Sequence, residues 1–235
     1  MSYLVNPYMV VAGSSCPADI CTDLVAWWDF SDIDTITKDG SNNVSQVDDK
    51  SGNDYHLVQA TGSAQPLWKS AERNGLDAVD FGAAGFMKAQ WSNLDQPHIV
   101  GGACYMPPDT TSQDNIHDNY SSVGGDSGNG FANLDTTANL GIYSPSTVQT
   151  TNNFASQWAY FVNTFGASAD LRMDGNSKAT GDTGDTAYNG ITVNRHRTSA
   201  TYGYIIAGEI FVYSSALSAS DITALETYLS DKWGF

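Results

Sequence analysis

Positive charge is scarce in this chain: 10 Lys and Arg stand against 26 Asp and Glu in 235 residues, for a formal net charge of -16. Phosphate binding needs clustered Lys and Arg, so nucleic acid is excluded as a partner, and an anionic membrane surface is disfavoured on the same ground. Long apolar runs are missing too, and none approaches the ~20 residues that span a bilayer. The opening stretch MSYLVNPYMVVAGSSC has no basic segment and breaks its apolar run at Pro7, so it does not read as a secretory signal. The expectation is cytoplasmic synthesis followed by a place on a virion or extracellular surface, reached by assembly or lysis.

Cysteine is rare, and the odd count of three does not read as a disulfide framework. Cys104, in the apolar run HIVGGACYM, reads as a small core residue. Cys16 and Cys21, with four residues between them, are open to a bridge or a metal. The histidines His56, His98, His117 and His196 show no HExxH spacing, and no GxxxxGK phosphate cradle is present.

Glutamate is scarcer still: Glu72, Glu209 and Glu226 are the full set. Glycosidases hold two carboxylates about 5 to 9.5 Å apart. Neither Glu209, opening the last strand, nor Glu226, on the terminal helix, has a second carboxylate at the alternate-residue spacing that shares a strand face. Two fragments mimic a trypsin-like protease, IVGG at 99–102 and GDSG at 125–128. Only 22 residues separate them, with His117 as the sole histidine between, whereas a Ser-His-Asp site of that kind needs both partners in that interval, far apart in sequence. They read as a buried strand and a glycine-rich turn, and no catalytic residue is assigned.

What the chain does have is aromatic residues, with six Trp, twelve Tyr and nine Phe, and turn formers. Short apolar or alternating runs recur between Gly, Asn, Asp and Pro clusters, from LVAWWDF to YGYIIAGEIFVY, at roughly 8 to 12 residue spacing, which indicates a β-sandwich. Residues 1–23 lack periodicity and read as an arm. Stretches 35–43, 107–129 and 175–189 read as long surface loops, where sandwiches place function.

Two features suggest ligands. Asp29, Asp32, Asp34, Asp39, Asp48, Asp49 and Asp54 crowd one acidic stretch, which suits Ca²⁺ by composition but lacks the EF-hand spacing; the alternative is that they shape turns through their own backbone. Trp68, Trp91 and Tyr188 lie near turn signals and are candidate sugar-stacking platforms, weighed against ordinary core or rim positions.

The chain ends in a well-specified helix. Ser218 fits the N-cap with Asp221 at capping-box spacing, and Leu217 with Ile222 forms a staple. Ile222, Leu225, Leu229 and Trp233 make one apolar stripe, Lys232 suits the last turn and Gly234 the C-terminal cap.

The order of LVAWWDFSD, VSQVDDKSGNDYHLVQATGSAQPLW, NGLDAVDFG, QWAYFVNTF, DLRMDGN and GEIFVYSSALSASDITALETYLSDKWG resembles the concanavalin A-like, laminin G-like jelly roll, in particular its bacterial and phage branch, over residues 24–235. The resemblance implies an all-β, two-sheet antiparallel jelly-roll sandwich with a short C-terminal helix. It also implies that DDKSGND and the helix are scaffold features. Cleaving members of that family resemble one another in an E-x-D-x-x-E motif, which is absent here. The expected function is therefore a non-catalytic virion or surface protein, such as a phage decoration, fibre or spike, that displays a lectin-like domain. Its expected partners are a saccharide or cell-surface glycan and a particle component that docks the arm, with homo-oligomerisation open. A free-standing carbohydrate-binding module is the first alternative, and a polysaccharide-cleaving enzyme ranks behind it.

Overall fold

The computed structural model of the protein describes residues 16–106, 114–121, 128–133 and 139–235. In chain order its strands are β1 (Leu24–Asp29), β2 (Ile36–Lys38), β3 (Val44–Val47), β4 (Leu57–Val58), β5 (Leu67–Arg73), β6 (Leu76–Asp80), β7 (Met87–Leu94), β8 (His98–Tyr105) and β9 (Asp114–Asn119). There follow β10 (Gly130–Asn133), β11 (Asn139–Tyr143), β12 (Thr147–Asn153), β13 (Trp158–Phe165), β14 (Ala169–Met173), β15 (Asn176–Gly181), β16 (Tyr188–Val193) and β17 (Ile206–Tyr213), and the helix α1 (Ala219–Trp233) closes the chain. Two antiparallel sheets result, so the chain is an all-β sandwich with a C-terminal helix. Sheet A runs β15-β14-β13-β8-β17-β6-β5, and sheet B runs β12-β11-β10-β9-β16-β7-β4-β3-β2.

β17 organises sheet A. One edge pairs with β8 along its length; the other is shared end to end, with β6 against Ile206 and Ala207 and β1 against Glu209 to Tyr213. The last strand therefore closes directly on the first. The main core between the sheets takes alternate residues from each strand, and β14 shows the pattern cleanly, with Ala169, Leu171 and Met173 buried and Asp170 and Arg172 between them half-buried. β8 is buried on both faces, because one faces sheet B and the other lies under α1. IVGG is part of that packing: a Cβ on Gly101 would meet the Phe211 ring, and one on Gly102 the backbone of Glu209.

A second core lies between sheet A and α1, with Trp27, Ile99, Phe211, Leu225, Leu229 and Trp233 at its centre. Ser218 caps the helix by accepting from the Asp221 amide at 3.2 Å, Leu217 and Ile222 pack on this core, and Gly234 takes the left-handed conformation at φ 69°. Gly208 on β17 makes room for the helix end, since a Cβ there would lie 2.5 to 2.8 Å from Trp233 ring atoms. Gly208→Ala is expected to cost about 1–3 kcal/mol through overpacking. A lowered urea midpoint at unchanged slope is the readout.

The described part of the arm is not separate from the domain. Cys16 and Cys21 form a disulfide around a single helical turn, Pro17–Asp19. Ala18 and Ile20 pack on the second core, and the Tyr213 hydroxyl donates to the Ile20 carbonyl at 2.8 Å. Residues 1–15 lie outside the described residues.

The three stretches expected as loops all contain strands. Within 107–129 runs β9, whose six residues DNIHDN are all buried; within 175–189 runs the edge strand β15; within 35–43 runs β2. β9 carries one apolar residue, so no hydrophobic pattern marks it. Asp118 on Arg197 and Asn115 on Tyr143 meet partners there rather than water, while His117 packs its ring among aromatic side chains.

Candidate functional sites

Two of the three expected sugar-stacking platforms are core residues. Trp91 is 6% exposed, donates its indole N–H to the Tyr188 carbonyl at 3.0 Å, and sits beside Trp28 with centroids 6.3 Å apart. Tyr188 is fully buried, stacked on His98 at 4.8 Å. Both project inward from sheet B, so neither ring offers a face to a ligand. Trp68 is half-buried against the main core, and the Lys38 ammonium sits 4.8 Å over its ring.

The aspartates of the acidic stretch shape turns. Asp39 accepts from the Ser41 and Asn43 amides, and these bonds, the Asn43 side chain first, draw its pKa down. Asp49 is the hub of DDKSGND, accepting from the amides of Trp27, Ser51 and Tyr55 and from the Ser51 hydroxyl. Among the described residues no three His, Cys, Asp or Glu side chains converge as a metal site.

The buried carboxylates are already engaged. Glu209 accepts from the Trp27 indole (2.6 Å), the Tyr228 hydroxyl (2.7 Å) and the Lys232 ammonium (2.8 Å). Lys232 also lies 2.9 Å from Asp29, its neighbour across the β1–β17 pairing. Burial works to raise the Asp29 pKa, but Lys232 and Lys50 outweigh it and hold that group at about 2. Glu226 is clamped by Arg172 through two bonds of 2.8 and 3.1 Å. Asp118 accepts from the Arg197 amide and guanidinium at 3.1 and 3.0 Å, pinning the segment after β16 onto β9. Gly128, the one described residue of GDSG, fits against that pair because a Cβ there would strike the guanidinium.

Two open faces remain. On the outside of sheet B, the pairing aligns Gln46, Val58, Lys88, Thr192 and Asp118 in one row across five strands, of which Thr192 and Asp118 are fully buried and only the first three reach the surface. Val58 is 48% exposed, and the half-buried Lys88 donates to the Tyr120 carbonyl. Beside this row Arg195 stacks between Phe86 and Tyr202, at 4.5 and 5.8 Å from the ring centres. This face offers polar and cationic hydrogen-bond donors.

The other open face is on sheet A, beyond the end of α1. There the pairing aligns Trp158, Tyr105, Ile206, Asp80 and Leu67 on β13, β8, β17, β6 and β5. The first four are half-buried and Leu67 is 38% exposed. Trp158 lies nearly parallel to the buried Trp233, with centroids 5.8 Å apart, and Tyr105 meets Trp158 edge-on at 6.4 Å. Sequence reasoning did not single out Tyr105 or Trp158, since Tyr105 ends and Trp158 begins a strand that reads as core. The available signal was parity: Tyr105 alternates with Cys104, putting it on the helix side of β8, and the helix is too short to cover the strand's end.

A polar cleft of about 450 Å³ opens between the Cys16–Cys21 loop and the start of α1, lined by Asp19, Asp23, Ser215, Ser218 and Asp221 among others.

No protein-family model matches the chain, and no curated protein matches it. Solved structures do. The binding domain of Paraclostridial Mosquitocidal Protein 1 superposes with a TM-score of 0.64 at 14% identity, over 88% of this chain and 52% of that one. Trypanosoma rangeli sialidase in complex with 2,3-difluoro-KDN gives 0.63 at 12% identity, over 89% and 33%. Domain 4 of AbnA, a GH43 extracellular arabinanase from Geobacillus stearothermophilus, in complex with arabinotriose, gives 0.57 at 14% identity, over 87% and 98%. The chain thus spans about half the length of the first and a third of the second. At these identities the likeness concerns fold: the chain is a two-sheet antiparallel β-sandwich built as parts of these three proteins are built.

Proposed function

We propose that this chain is a non-catalytic, saccharide-binding β-sandwich carried on the surface of a virion or comparable particle as a decoration, fibre or spike. The observation that carries the saccharide reading is that nearly the whole of a domain solved with arabinotriose superposes on nearly the whole of this one. The non-catalytic reading is supported by the state of the acids. Glu209, Glu226, Asp29 and Asp118 are each neutralised by a cation within 3 Å or so, and an acid or base so held is a poor proton carrier. The particle reading rests on the resemblance of the segments to the phage branch of the jelly-roll family, with the arm, residues 1–23, as its docking segment.

A glycan array run with and without Ca²⁺, followed by thermal melts on the hits, tests the first part. A ligand that binds only the folded state at a hundredfold excess over its Kd is expected to add about 2.7 kcal/mol of stability. No binding under either condition overturns the saccharide reading, and turnover of a bound polysaccharide overturns the non-catalytic one. Unchanged incorporation into a particle after deletion of residues 1–23 overturns the docking role.

A further inference from the structure

Resting on the saccharide reading, we infer that the sugar lies on the strip of sheet A beyond α1, and that it is a neutral oligosaccharide running across the strands from Trp158 to Asp80. Residues paired on neighbouring strands are spaced about 4.8 Å apart, so the three steps from Trp158 through Tyr105 and Ile206 to Asp80 cover about 14 Å. That is the reach of a short oligosaccharide rather than a single ring. The chemistry changes along it in the way a sugar needs. Trp158 and Tyr105 supply aromatic surface for the C–H faces of sugar rings, and Ile206 continues the apolar floor. Asp80 follows with a carboxylate that accepts from the Gly82 amide at 3.0 Å and lies 3.7 Å from the Lys69 ammonium, leaving acceptor capacity for hydroxyls.

The strip is held rigid from below. Trp158 rests on Trp233, which is fully buried and wedged against Gly208, so the platform pays little ordering entropy when a ligand arrives. Charge selects the class of sugar. With a net charge of -16 on the protein and a carboxylate in the strip itself, a sialylated or uronic-acid chain is repelled, and a neutral one is not. The face of sheet B is the rival location, because its donors, Lys88 and Arg195, suit an anionic sugar.

The test uses the full chain and a panel of neutral trisaccharides with arabinotriose among them, beside sialyllactose, titrated by calorimetry. Tyr105→Ala and Asp80→Asn are the strip variants, because neither residue is in the second core; Trp158→Phe keeps the packing on Trp233 while reducing the platform. Tyr202→Ala reports on the rival face. The expected result is binding of a neutral trisaccharide that weakens about tenfold in Tyr105→Ala, weakens in Asp80→Asn, and is unchanged in Tyr202→Ala, with all variants melting cooperatively. Neutral binding that survives Tyr105→Ala and Asp80→Asn but is lost in Tyr202→Ala overturns the strip and leaves the saccharide reading standing. A preference for sialyllactose overturns the neutral class. Absence of binding to every saccharide overturns both readings.

Discussion

Lys232→Met is expected to destabilise the protein by about 3–5 kcal/mol, the usual cost of leaving a buried charge without its partner. Lys232 lies in the last turn of α1 but points into the second core, 2.9 Å from Asp29 and 2.8 Å from Glu209, whose side chains are 9% and 0% exposed. Burial works to lower its pKa, and the two carboxylates outweigh that and raise it, so the ammonium stays charged in the core. Without it Glu209 keeps three neutral donors, Trp27, Tyr228 and Trp233, and Asp29 keeps Lys50 at 3.3 Å together with the Ser31 amide and hydroxyl at 3.1 and 2.6 Å. Two buried carboxylates would then share a site with one cation, and of the two that cation reaches Asp29 alone. Urea denaturation is the measurement. Adding Asp29→Asn to Lys232→Met is expected to return part of the loss, because it removes one of the stranded charges. A loss under about 1 kcal/mol in the single variant would mean that the cluster behaves like a surface ion pair.

This cluster shows where reading the sequence stops. α1 is local, and Ser218, the apolar stripe and Gly234 all do in the structure what their spacing implies. Asp49 is similar, since DDKSGND folds back on itself through bonds to Ser51 and Tyr55. Lys232, by contrast, reads as a cation matched to the helix dipole, and its partners sit on β1 and β17, where only the closed sheet brings them. β9 fails for a different reason. Its sequence has the polarity of a loop, and its burial depends on partners such as Arg197 and Tyr143 that lie elsewhere in the chain. Trp91 and Tyr188 fail through parity: turn signals flank them, yet their strands point them inward. Pattern fixes which segments are strands when one face is apolar; it cannot say which polar residues meet across a sheet.

Acidification is expected to unfold the protein through the core as well as through its carboxylates. His98 on β8 and His117 on β9 are fully buried, and among the described residues neither ring nitrogen of either has a hydrogen-bond partner. His98 lies between the rings of Phe165 and Tyr188, 4.8 Å from each, and His117 packs against Phe131 and Phe165. Burial pushes each to a pKa of about 3, with His98 adding to the effect on His117. In the unfolded chain both return to about 6.5. Between those values the unfolded state binds more protons than the folded one, so stability is intact above pH 6.5 and falls as pH drops towards 3. The slope is about 1.4 kcal/mol per pH unit for each histidine, so two of them outweigh any surface ion pair in the chain. Asp29, held at about 2, acts in the same direction over a lower window, from 3.8 downward. His98→Phe preserves the three-ring stack and removes one titrating group. Its stability between pH 6.5 and 4, measured by urea denaturation at each pH, is expected to fall with a visibly shallower slope than the wild type. Identical slopes would show that the histidines take up protons in the folded state, and hence that water or a counter-charge reaches between the sheets.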